Sequence, residues 1–200
     1  MIERVIDMKK IPIGTKSFSR LIEGNYYFVD KTLMIQEFLE RGTDVTLITR
    51  PRRFGKTINM SMLSEFFDIT KDSKEIFKDT LIMKTPYASE INQYPTIFIS
   101  FADAKRDKMT VITTIKTQIQ NQWDKYDYVF ENLKGFKKLR YENLCNNLED
   151  YNTLDGINDA ISFLMEKLQS YYHKEVMVFI DEYDTPFVEA HTGGFYDEVK

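Results

Sequence analysis

Val45-Thr46-Leu47-Ile48-Thr49-Arg50-Pro51-Arg52-Arg53-Phe54-Gly55-Lys56-Thr57 joins two segments of different period. Val45 to Thr49 is apolar or β-branched throughout, the pattern of a strand covered on both faces. Past the turn, Ile58, Met62, Leu63, Phe66 and Phe67 recur at three-to-four spacing, which predicts a helix over 57–68 packed on a sheet. Between them the chain carries Arg50, Arg52, Arg53 and Lys56, and no acid occurs from Val45 to Ser64. A strand, a cationic glycine turn and a helix in that order suit a phosphate chain: backbone N–H groups at a helix start, a lysine, and a hydroxyl for magnesium. Arg53, Phe54, Gly55, Lys56, Thr57 and Ile58 are the predicted cofactor-binding run. Arg50 stands where the common G-x-x-x-x-G-K-[ST] loop has its first glycine, and taken alone Gly-Lys-Thr is weak enough to be only a solvated basic turn.

A second stretch complements the first. Val176-Met177-Val178-Phe179-Ile180-Asp181-Glu182-Tyr183-Asp184 is a buried-strand pattern ending in carboxylates, and open α/β sheets bind ligands at that strand end. Asp181 is predicted to hold Mg2+ opposite Thr57, with Glu182 polarising the attacking water and Lys56 on the phosphates. The plain alternative is an acidic turn capped by Asp184 and Pro186. A third apolar run, Pro95 to Phe101, also reads as a strand.

Working outward, Asp30 is expected to cap a helix bearing Leu33, Met34, Phe38 and Leu39 and ending before Gly42. Val111, Ile112, Ile115, Ile119 and Trp123 form another helical stripe, and Ile157, Ile161, Leu164, Met165, Leu168 and Tyr172 a third. The order is β-α-β-α-β. Residues 126–152 read as a helical insertion, and residues 1–30 as an extension with one turn of helix at Phe18–Leu21, lying across the sheet edge. No repeat or linker divides the chain.

Composition narrows the function classes. The 200 residues are 42% hydrophobic and 29% charged, with only 8 Gly and 5 Pro, which describes one globular domain. With 27 basic and 31 acidic side chains the net charge is -4, so binding of nucleic acid through bulk charge is not expected. No apolar run approaches the roughly 20 residues of a membrane span, and no signal peptide is evident. One cysteine, Cys145, on an apolar stripe, and two histidines without thiol partners point to packing and to a reducing, cytoplasmic setting.

These residues carry a resemblance. Pro12-Ile13-Gly14, Asn25 to Thr32, Thr49 to Thr57, Met62 to Asp68, Tyr94-Pro95 with Ser100-Phe101, and Ile180 to Pro186 resemble the bacterial and archaeal AAA-ATPase-like proteins that often carry a C-terminal PD-(D/E)XK nuclease-like domain. Arg50 is ordinary in that family, and Thr57 stands where many members have Ser. The resemblance implies an additional-strand P-loop fold of three layers with a parallel central sheet. It also implies ATP and Mg2+ as cofactors, and Gly55-Lys56-Thr57 and Asp181-Glu182 as its Walker A and Walker B positions. Tyr26, Tyr27 and Phe28 are expected in the core first and against adenine second. The family's helix, sensor strand and fifth strand would follow Thr185 to Lys200, so the chain is expected to be truncated after its Walker B strand. A Mg-dependent ATPase is thus the first expectation. A noncatalytic nucleotide-responsive module, with a homo-oligomer or protein partner, is the second. A DNA-associated partner of a nuclease, contacting phosphates through Arg50, Arg52 and Arg53, is the third.

Overall fold

A computed structural model describes residues 9–49 and 54–198. The chain forms two compact units, residues 1–93 and 94–200.

In the first unit, α1 (Phe18–Glu23) starts at Ser17, whose hydroxyl accepts from the Arg20 N–H. It is followed by α2 (Leu33–Arg41), α3 (Lys56–Phe67) and the short α4 (Lys74–Phe77). Their core is phenylalanine: Phe18 lies 5.0 Å from Phe77, and Phe66 lies 5.2 Å from Phe67 and 5.3 Å from Phe77, centroid to centroid. All four rings are fully buried. Within this unit α3 therefore packs on α1 and this cluster, where its stripe suggested a sheet.

The end of α3 is tied by polar groups. Asn92, at φ +55, donates from Nδ2 to the carbonyls of Glu65 and Asp68 and accepts from the Ser73 N–H through Oδ1 at 2.8 Å. Ser73 Oγ in turn donates to Glu65 Oε1 at 2.8 Å. Such terminal carbonyls need partners once buried.

Two local expectations are corrected in this unit. Val45 to Thr49 is not a strand: it lies outside any ladder, with Val45 85% and Leu47 64% exposed. Apolar pattern alone does not make a strand, which also needs a neighbour for its N–H and C=O groups, and the described residues offer this segment none. Nor does Asp30 cap α2, whose N-cap is Thr32. Asp30 Oδ1 instead accepts from Thr32 N–H at 2.8 Å and from its hydroxyl at 2.7 Å, while Oδ2 accepts from Leu81 N–H at 2.8 Å. An Asx turn has won over the cap. The helix does end at left-handed Gly42, as expected.

The second unit holds β1 (Thr96–Ser100), α5 (Lys108–Lys125), α6 (Phe136–Glu149), α7 (Ile157–Tyr172), β2 (Met177–Asp181) and α8 (Thr185–Gly193). β1 and β2 pair in parallel with Thr96 opposite Met177 and Ser100 opposite Asp181. This two-stranded sheet is the sheet of the described residues, in place of the three strands expected. Helices join its strands, as parallel pairing requires. Ile97, Ile99, Val111, Ile115, Ile119, Trp123, Phe163, Leu164 and Leu168 are all buried in one core. Trp123 stacks on Tyr141 at 5.4 Å within it. The expected stripes of α5 and α7 thus face inward.

Helix α5 also buries Lys116 completely, its ammonium donating to the carbonyls of Asn147 and Asp150 at the end of α6. Burial pushes the Lys116 pKa down, while Asp150 and Asp155 pull it back up. No helix among the described residues is long and apolar enough to cross a membrane.

Candidate nucleotide site

Gly55 opens α3 in the left-handed conformation, φ +79 and ψ 22. A Cβ there would meet nothing within 4 Å, so the backbone angle and not space calls for glycine. Its carbonyl accepts the first helical bond, from Asn59 N–H at 2.9 Å. Among the described residues no side chain caps this helix, and its first turn holds no acid. The N–H groups of a first turn and the helix dipole therefore favour an anion here. Lys56, Thr57 and Ile58 occupy that turn and are partly exposed, and Phe54 before them is 60% exposed. Of the predicted run, Arg53 lies outside the described residues, as do Arg50, Pro51 and Arg52.

The acid pair sits in the second unit. Asp181 ends β2, is 3% exposed, and its carbonyl accepts from Phe101 N–H at 3.0 Å. Glu182 follows in the left-handed region at φ +54, rare for a non-glycine residue and strained by about 1–2 kcal/mol. Thr185 closes the turn: its N–H donates to the Glu182 carbonyl at 3.0 Å and its hydroxyl lies 3.5 Å from Glu182 Oε2. Pro186 then enters the first turn of α8, where a missing N–H costs nothing. The sequence pattern placed Asp181 and Glu182 at a strand end, and β2 puts them there. Thr185 was missed, although its position three residues past Glu182, just ahead of a proline, marks a helix start.

Lys56 and Thr57 therefore sit in the first turn of α3 in the first unit, and Asp181 and Glu182 at the end of β2 in the second. No group of three or more His, Cys, Asp or Glu side chains gathers as a metal cage among the described residues. Magnesium does not ask for one, because it takes a carboxylate or two together with phosphate oxygens and water. The Thr57 hydroxyl and the Asp181 carboxylate are each hard oxygen donors of the kind it takes.

Other predicted roles divide. Phe28 packs edge-on to Phe18 at 5.3 Å, whereas Tyr27 is 60% exposed. Cys145 is half-buried against the core, and burial pushes its thiol pKa up, against any nucleophilic role.

The family described as Predicted AAA-ATPase matches residues 12–200. A 60-residue stretch is 47% identical to the "Uncharacterized protein in vnfD 5'region" of Azotobacter chroococcum mcd 1. That alignment spans 30% of this chain and 11% of that protein. No solved structure matches. With a match running over nearly its whole length, the chain belongs to the predicted AAA-ATPase family.

Proposed function

We propose that this chain is the ATP-binding module of a magnesium-dependent ATPase with an additional-strand P-loop fold. The observation that carries the reading is the uncapped start of α3, which follows left-handed Gly55 and holds Lys56 and Thr57 in its first turn. In this reading the N–H groups of that turn and Lys56 bind the β and γ phosphates. Thr57 and Asp181 would hold Mg2+, which would supply neutralisation of the phosphate charge. Glu182 accepts a proton from the attacking water through its carboxylate. The strained backbone at Glu182 supports this role, since such strain gathers where a side chain must be aimed.

The test is calorimetric titration of ATP with and without Mg2+ into the wild type, Asp181→Ala and Glu182→Gln. Mg2+ should strengthen binding to the wild type and to Glu182→Gln, and the Asp181→Ala variant should lose that Mg2+ dependence. Phosphate release should fall about 100-fold or more in Glu182→Gln, in line with removal of a general base. Binding indifferent to Mg2+ in all three proteins would sink the reading.

A further inference from the structure

Helix α5 closes one edge of the sheet with side chains. Toward β2, Met177 N–H donates to the Pro95 carbonyl and Phe101 N–H to the Asp181 carbonyl, so odd-numbered residues of β1 face the ladder. The even-numbered ones face the opposite edge, and α5 meets each in turn. Thr96 N–H donates to the Tyr126 hydroxyl at 2.8 Å, which itself donates to the Thr96 carbonyl at 2.9 Å. Phe98 N–H donates to Gln122 Oε1 at 3.2 Å, and Ser100 N–H to Gln118 Oε1 at 3.4 Å. Lys125 Nζ adds a bond to the Thr96 carbonyl at 2.8 Å.

The spacing explains why the series stays in step. Four helical residues rise about 6 Å and two strand residues about 6.6 Å, so positions four apart on α5 keep pace with alternate residues of β1 running the other way. The bonds run from the fully buried Tyr126 at the start of the strand to the half-buried Gln118 at its end. Ser100 is the register partner of Asp181, and the next residue, Phe101, holds the Asp181 carbonyl.

We infer that Gln118 is a positioning residue for Asp181: by accepting from Ser100 N–H it fixes the end of β1, and through the ladder it fixes the strand end from which the Asp181 carboxylate projects. The inference rests on the reading of Asp181 as the carboxylate on the magnesium side. Gln122 makes the same kind of bond one step farther from Asp181, and is its natural control.

The experiment uses the whole chain with Gln118→Met, Gln118→Glu and Gln122→Met. Met keeps the length and loses the acceptor, whereas Glu keeps an acceptor oxygen. Amide exchange without metal should show Ser100 deprotected in Gln118→Met and protected in Gln118→Glu. Titration of Mg2+ at fixed ATP should show the midpoint raised about tenfold in Gln118→Met, the lower range for groups that support a metal ligand, less in Gln122→Met, and restored in Gln118→Glu. Equal midpoints in the wild type, Gln118→Met and Gln122→Met would overturn the positioning role and leave the reading of the site intact. A folded wild type without Mg2+-dependent ATP binding would overturn both.

Discussion

Gly55 and Glu182 share a left-handed backbone, φ +79 and φ +54, with opposite consequences. At Gly55 the conformation is free, so Gly55→Ala should destabilise the chain by about 1–2 kcal/mol and weaken ATP binding with it, measurable by urea unfolding and calorimetry. At Glu182 it is strained, so Glu182→Gly should stabilise the fold by about 1 kcal/mol while removing turnover. A stability gain accompanied by lost phosphate release would mark the strain as kept for function. Unchanged or lower stability would contradict this. Asp107 adds a pH test. It caps α5, and the N–H and hydroxyl of Thr110 hold its pKa below 3.8. Its folded value is the depressed one, so the cap's contribution is full above 3.8 and is lost as pH falls through the folded value. Acid unfolding of Asp107→Ala should therefore begin from a less stable protein at neutral pH and converge on the wild type at low pH.

Helices and strands show what can be read from a sequence and where reading stops. The stripes over 111–123 and 157–172 appear as α5 and α7, because a helix completes its hydrogen bonds within itself and needs only a core to face. β1 and β2 were legible too, being apolar runs that find each other. Val45 to Thr49 has the same local pattern, but a ladder is a property of two segments, and no pattern in one of them supplies the other. Asp30 was misread because an Asx turn and an N-cap use the same side chain within two positions. Glu182's backbone had no signal at all, since left-handed glutamate is set by the turn that Thr185 closes. The predicted phosphate loop is half legible: Gly55 to Ile58 form the helix start foreseen, while Arg50 to Arg53 lie outside the described residues.

Lys116→Met should cost about 1–3 kcal/mol, because two carbonyls at the end of α6 lose their donor. Burial lowers the folded pKa below the unfolded 10.5, so the unfolded chain holds more protons between the two values. Wild-type stability should therefore rise as pH climbs toward 10.5, and this rise should be absent from Lys116→Met. Denaturant midpoints across that range check both statements.

At the scale of the whole molecule, two compact units each have a core of their own, phenylalanine in residues 1–93 and mixed aromatic and aliphatic in residues 94–200. Lys56 and Thr57 belong to the first unit and the acid pair to the second, within a chain of net charge -4. The most direct measurement is a calorimetric titration of Mg·ATP into the 200-residue chain beside Lys56→Ala, each first shown to be folded by circular dichroism. The account predicts saturable binding by the wild type, weakened at least about tenfold, some 1.4 kcal/mol, in Lys56→Ala. Equal binding by both, or no binding by a folded wild type, would contradict it.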